Sequence, residues 1–559
     1  MLAPEDVWPA MTAPDDRAVS PGASPAPAPR PNGGDHVVAD QSAVFAFLAD
    51  PATHGLVEEV TRIDTHGAAV FLAGPLAYKV KRAVFFPFMD FSTLEKRRTA
   101  CAAEVEISGA GAPGLYLGVV PIVRTPQGLA LGGDGPAVEY AVKMRRFDPD
   151  QTLDRIAERG GFTPELTKAV AATVVAAHAA APARRGFDAP GALGAYLEDN
   201  IAEFSARPDL FPAEDVERLA TLSRAALARV RPLLAARSEA GFVRRCHGDM
   251  HLRNIALIDG RPVLFDAIEF NDEIATCDVL YDLAFLLMDL WQRDLTTAAN
   301  AIFNRYLWAR EDAELDGLKA LPLFLSLRAG IRAKVEAAGL AHLKGEQRAQ
   351  AERRVRDEFA HALRFADVEA PATNTVASIS GTTVWKTAGP PRPALCAVGG
   401  LSGSGKSTWA AKMASGLGLA PGAVVLRSDI ERKRLSGAAE TEKLPPEAYT
   451  AEASARVYDR LRALARRVLA TGHSVIVDAV HARPQERDAI EAVAQAADAR
   501  FYGVWLDAPE GELMRRVEAR TGDASDADAR VVRRQLAYDL GEIRWRRPEP
   551  GIIAEAGRP

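Results

Sequence analysis

Residues 394–408, ALCAVGGLSGSGKST, decide the fold of the last part of the chain. Ala394–Val398 is an apolar run that reads as a buried strand, and a helical pattern begins at Lys406. Between them Gly400, Gly405, Lys406 and Ser407 meet the spacing G-x-x-x-x-G-K-S, in the strand-to-helix setting that the motif requires. The glycines let the backbone curl, so that N–H groups across Ser402, Gly403, Ser404 and Thr408 face a phosphate. The helix N-terminus adds partial positive charge there. Lys406 is expected to reach the β- and γ-phosphates and Ser407 to ligate Mg2+. The sequence therefore predicts a site for ATP (or GTP) with Mg2+.

Working outward, apolar strands at Val424–Arg427, Ser474–Val477 and Arg500–Leu506 alternate with helices, including Arg456–Ala470. Such alternation predicts a parallel α/β sheet with flanking helices. Asp429 stands directly after the second strand and can accept a proton from a substrate hydroxyl, or merely cap the next helix. Asp478 ends SVIVD, where a carboxylate would hold Mg2+ directly or through water, or merely cap the buried edge. The run GELMRRVEARTGDASDADARVVRRQL reads as a helix carrying Arg515, Arg516 and Arg520. Arg516 and Arg520, four apart, would share a face and suit a lid over transferring phosphates, or a solvated charged helix.

Residues 394–559 resemble the small P-loop kinases that include gluconate kinase, chloramphenicol phosphotransferase, zeta toxins and polynucleotide 5′-kinase domains. The P-loop, the SD-x-x-R segment (Ser428, Asp429, Arg432) and the arginine-bearing run carry the likeness. The resemblance implies that Asp429 is a general base and that Arg432 contacts substrate or its phosphate.

A second informative stretch is RRCHGDMHLRNIALIDGRPVLFDAIEF. His247, Gly248, Asp249, His251 and Asn254 give H-G-D-x-H-x-x-N, and the next strand ends at Asp266. One carboxylate to orient an acceptor hydroxyl, with an amide and a second carboxylate to hold Mg2+, is the donor set of phosphoryl transfer. Asn254 follows Asp249 by five residues, the spacing in the protein-kinase catalytic loop. Residues 57–370 thus resemble aminoglycoside phosphotransferases and choline kinases, and DVLYDLA at Asp278–Ala284 extends the likeness. The resemblance implies a protein-kinase-like fold, Asp249 as catalytic base, and Asn254 and Asp266 as metal ligands, with Glu269 as a possible second ligand. Upstream, Lys79 and Lys81 alternate along one strand and share a face. Lys79, in A-Y-K, is the expected phosphate contact; Lys81 reads as an ordinary surface lysine. Glu104 is the expected partner of Lys79, with Glu106 and Glu95 as alternatives. His178, in an alanine-rich helix, reads as a satisfied core histidine.

The whole chain of 559 residues is 48% hydrophobic and 25% charged, with a net charge of −6. That balance fits several globular units and offers no general basic field for nucleic acid. Four scattered cysteines give no disulfide scaffold or zinc cluster, and no apolar run reaches the ~20 residues that span a bilayer. A cytoplasmic location without a membrane partner is expected. The predicted organisation is a disordered segment 1–36; a domain 37–370 with a small lobe about 57–147 and a helical lobe about 150–370; a linker 371–393; and a P-loop domain 394–559. As a whole the arrangement resembles bacterial fusions of a phosphotransferase domain with a P-loop kinase. It implies two sites that transfer a γ-phosphoryl group to hydroxyl acceptors, chiefly small molecules. Alternatives are a nucleotide-binding module that regulates its neighbour, and a polynucleotide 5′-hydroxyl kinase. Oligomeric state is not readable.

Overall fold

The computed structural model describes residues 36–86, 89–369, 377–379, 382–385, 392–520 and 522–548. Residues 1–35 of the segment expected to be disordered, and most of the expected linker, lie outside these residues.

The small lobe is one antiparallel sheet of six strands: β1 (Thr61–Asp64), β2 (Ala68–Ala73), β3 (Leu76–Lys81), β4 (Tyr116–Thr125), β5 (Gly128–Leu131) and β6 (Ala137–Arg145), in the order β1-β2-β3-β6-β4-β5. Helix α1 (Leu94–Gly111), capped by the Thr93 side chain, crosses one face. Cys101, Leu115, Val142 and Met144 pack there with Ala256 and Ile258, which belong to the hairpin β7 (Ile255–Ile258) and β8 (Arg261–Leu264) of the next lobe. The two lobes therefore share a core, and the cleft between them has a fixed floor.

The helical lobe is built from α2 (Pro164–Ala180), α3 (Ala213–Ala240), α4 (Val279–Gln292), α5 (Thr296–Ala309), α6 (Leu321–Gly339) and α7 (Gly345–Ala366), with the helix Ala189–Ser205 and shorter elements between. Every residue of α4 from Val279 to Leu290 is buried. A helix buried on all sides belongs at the centre of a bundle, and α4 lies against α5 and α6. No described helix is long and apolar enough to cross a membrane.

The last unit has four parallel strands, β9 (Ala394–Gly399), β10 (Val424–Arg427), β11 (Val475–Asp478) and β12 (Arg500–Trp505), ordered β10-β11-β9-β12. Helices α8 (Lys406–Ala414), α9 (Ser428–Leu435) and α10 (Ala451–Ala470) link and cover them. The arginine-bearing run is two helices, not one. Helix α11 (Glu510–Glu518) stops, a turn with Gly522 at φ 66° follows, and α12 (Ala529–Leu536) starts afresh on an Asp528 side-chain cap. Arg520 lies beyond the end of α11, so Arg516 and Arg520 do not share a helix face.

Candidate functional site

In the first cleft, strand β3 aims Lys79 and Lys81 at α1. Lys79 Nζ donates to Glu104 Oε1 at 2.8 Å and also pairs with Asp266. Lys81 Nζ donates to Glu104 Oε2 at 2.5 Å and pairs with Glu269. Lys81 is 2% exposed, so it is not a surface lysine: Glu104, fully buried, needs both cations to stay ionised. Burial alone would pull Lys79 down, yet Asp266 and Glu104 hold it well above its ordinary value. Burial opposes ionisation of Asp266 too, but Lys79 and Lys81 keep it lowered, whereas burial pushes Glu269 up. Asp266 sits at φ 61° and its N–H donates to Tyr116 Oη at 3.1 Å, while Ala267 N–H donates to Ser108 Oγ at 3.2 Å. Neither Tyr116 nor Ser108 carried a sequence signal.

Across the cleft, the HGDMHLRN loop is fixed by α4. Asp282 accepts from His247 N–H at 3.3 Å and from Gly248 N–H at 2.9 Å; Asp289, two helical turns on, accepts from Leu252 N–H at 2.8 Å. Arg328 donates to Gly248 O at 2.9 Å. Gly248 has φ 83°, and a side chain there would meet Ile268 at 3.0 Å. On this loop the Asn254 amide donates to both the carbonyl and the carboxylate of Asp249 at 3.0 Å. That leaves the Asn254 amide oxygen without a protein donor among the described residues, a hard ligand next to the Asp249 carboxylate, which suits Mg2+. Burial would raise Asp249, but the His251 ring beside it holds the carboxylate well below its usual range. His178 is a core histidine, bonded to Tyr306 Oη at 2.9 Å and Asp282 at 3.2 Å.

The second site is a cavity of about 120 Å³ lined by the P-loop, Asp429, Asp478 and Arg520. Gly400 and Gly403 have φ of 141° and 86°, and a Cβ would lie 2.4 Å from Leu506 O and 2.6 Å from Leu513 O. Only glycine fits this approach. Ser407 Oγ donates to Asp478 Oδ2 at 2.6 Å, and Lys406 Nζ donates to Leu401 O at 2.9 Å. Ser404 Oγ is buried with no protein partner among the described residues, but it packs toward Gly400 and does not line the cavity, so the structure does not bring Ser404 to the phosphate site with its neighbours. Burial pushes Asp478 up, so a cation beside it relieves an unfavourable charge; the Ser407–Asp478 pair fits Mg2+. Arg516 is turned away, donating to Gly403 O and Glu512, and Arg432 donates to Ala448 O at 2.6 Å. Missed by the sequence reading was Arg427, nine-tenths buried, which donates to Asp523 at 3.0 Å and lies 3.6 Å from Asp478. Gln535 of α12 also reaches the loop, accepting from Ser402 N–H at 2.8 Å. A larger cavity, about 1000 Å³, opens at the other end of the strands near Trp291 and Leu417, away from both sets of groups.

A lysine–glutamate pair facing an Asp–Asn loop, and a P-loop facing an aspartate, define an enzyme of the kinase class. The comparisons agree: residues 103–318 match the family model described as the phosphotransferase enzyme family, and residues 395–539 match the AAA domain model. An uncharacterised protein of Mycobacterium tuberculosis is 29% identical over 490 residues, which cover 86% of this chain and 90% of that one. Among solved structures, a choline/ethanolamine kinase family protein from Mesorhizobium loti is 18% identical, with TM-score 0.37, over 58% of this chain and 97% of its own. A gluconokinase from Sinorhizobium meliloti is 23% identical, with TM-score 0.21, over 30% and 89%.

Proposed function

We propose that the chain is an ATP- and Mg2+-dependent phosphotransferase with two sites, one in residues 37–370 and one in 394–559, each acting on a hydroxyl of a small molecule. The observation that supports this reading is that each site holds an aspartate beside its own set of oxygen donors. In the first, Asp249 stands 3.0 Å from Asn254. In the second, Asp429 lines the cavity that holds the Ser407–Asp478 pair.

In the first site Asp249 would accept the proton of the attacking hydroxyl, its lowered pKa keeping it ionised and ready. Lys79, oriented by Glu104, would contact the nucleotide phosphates, and Asn254 and Asp266 would hold the metal. In the second, Lys406 would exchange Leu401 O for the β- and γ-phosphates, Asp429 would take the acceptor's proton, and Ser407 with Asp478 would hold the metal. Mg2+ would neutralise charge developing on the transferring group. Arg520, which lines the cavity, would meet that group; Arg516 would have to leave Gly403 O and Glu512 first. Four buried, unpaired cysteines support a reducing, cytoplasmic setting.

The test is a screen of hydroxyl compounds with γ-labelled ATP on the wild type, Asp249→Ala and Asp429→Ala. Each aspartate should own a distinct product, lost by at least about 100-fold in its variant. A product set untouched by both substitutions would refute the proposal.

A further inference from the structure

Among the described residues, strand β10 is the edge of the parallel sheet, paired with β11 on one side alone. An edge strand presents unpaired N–H and C=O groups. Here they are taken up by side chains of α5, from the preceding domain. Asn304 Oδ1 accepts from Val425 N–H at 2.6 Å, and its amide nitrogen donates to Ala423 O at 3.1 Å. Asn300 donates to Pro421 O and Ala423 O, each at 3.1 Å, and Trp308 Nε1 donates to Val425 O at 2.8 Å. Asn300, Asn304 and Trp308 are spaced i, i+4, i+8 and so form one stripe of the helix. The two asparagines are 3% exposed each; buried amides are costly unless bonded, so this stripe accepts the strand in one register.

What the strand delivers is the second site. Arg427 is its last residue, lying between Asp478 and Asp523 with its guanidinium carbon 6.0 Å from the centre of the Trp308 ring. Ser428 and Asp429 follow at once, opening α9. That helix is tied to the same neighbour: Arg434 donates to Trp308 O and to Asp312 at 3.3 Å, and Arg460 bridges Asp312 and Glu431 at 2.5 and 2.6 Å.

We infer that Asn304 and Trp308 are positioning residues of the P-loop site, setting the register of β10 so that Arg427 meets Asp478 and Asp429 faces the cavity. The inference rests on the proposed roles of Asp429 and the Ser407–Asp478 pair. Neither side chain touches the reacting atoms. Their effect is on geometry, where a shift of about 1 Å in a catalytic group lowers turnover by up to about 100-fold.

The test uses the full chain carrying Asp249→Asn, so that release of labelled γ-phosphate from ATP reports the P-loop site. Asn304→Ala should lower kcat about tenfold and Trp308→Phe, which keeps a ring over Arg427, about threefold, with KM for ATP within twofold. Affinity for the fluorescent analogue mant-ATP at the P-loop site, taken as the signal that Lys406→Ala removes, should be unchanged without Mg2+, while the Mg2+ concentration needed for half-maximal tightening of that signal should rise at least about threefold in both variants. This binding readout decides the matter if the parent releases too little phosphate to measure, and Trp308→Phe decides it if Asn304→Ala does not fold. A purely structural role would lower the melting temperature and leave kcat and the Mg2+ requirement at parental values; that result overturns the inference. Asp429→Asn in the same background separates the two readings. If it keeps full phosphate release, the assigned chemistry of the site has failed. If it abolishes release while the Asn304 and Trp308 variants behave as the parent, the positioning inference alone has failed.

Discussion

Lys81 and Lys79 differ by two positions on one strand, yet substitution should separate them cleanly. Lys81 is enclosed by Glu104 and Glu269, so Lys81→Met strands the buried Glu269, leaves Glu104 with Lys79 alone, and should cost about 3 kcal/mol in urea unfolding. Lys79 is 12% exposed and faces Asp266, so Lys79→Met should cost less stability while raising KM for ATP at the first site about tenfold or more. A second residue makes a pH prediction. Glu358 of α7 is pushed up to about 8 from an ordinary 4.5, by burial first and then by Glu336, with Arg332 opposing and Asp289 adding to the rise. Its Oε2 has no partner among the described residues. The folded state therefore holds a proton that the unfolded state releases between about pH 4.5 and 8, so stability falls as pH rises through that window. Glu358→Gln should remove that fall and raise stability at pH 9 by an amount on the order of 1 kcal/mol, read from thermal melts across pH. The pairing Lys79–Glu104 was legible from A-Y-K on a strand followed by a helix. The burial of Lys81 was not, because alternation fixes a face and says nothing of what closes over it.

At the scale of elements, α4 connects the core to the chemistry. Its aspartates at positions 282 and 289 lie on one side of a helix otherwise filled with leucine, and hold three backbone N–H groups of the Asp249 loop. Asp282→Asn keeps one acceptor where the carboxylate offers two, and leaves a neutral partner for His178. It should cost about 2 kcal/mol and lower kcat for the Asp249-dependent product about tenfold, with KM for ATP little changed. Measuring both in one preparation tells a loosened loop from a lost nucleotide site. The motif DVLYDLA exposed Asp282 in the sequence; Asp289 had no such marker and its role emerges only from packing. The α11–α12 break was readable in part: Gly522 and the cap residue Asp528 are ordinary stop and start signals within a run whose arginine spacing drew the eye instead. The P-loop strand and helix were fully legible, because their periodicity and glycines act locally.

For the whole molecule, the docking of one domain on the other was hidden in the sequence. The segment TTAANAIFNRYLWA of α5 reads as a short amphipathic helix, and the partners of Asn300 and Asn304 lie about 120 residues away. Only a specific neighbour explains two asparagines held at 3% exposure in a helix. The arrangement also predicts how the protein divides. Produced alone, residues 392–548 would present β10 with Ala423 O, Val425 N–H and Val425 O stripped of their α5 partners, beside the apolar Val424 and Leu426. A bare apolar edge strand is a template for pairing between chains. The excised unit should therefore self-associate, eluting as dimers and larger species in size-exclusion chromatography, whereas residues 36–369, which keep α5 on a packed bundle, should remain dispersed. Producing both pieces together should restore a one-to-one complex, and Asn304→Ala in the larger piece should weaken it at least about tenfold, two buried hydrogen bonds at about 1 kcal/mol each being at stake. A P-loop piece that stays monomeric and well folded by itself would mean that the sheet closes its own edge and that α5 is only a neighbour.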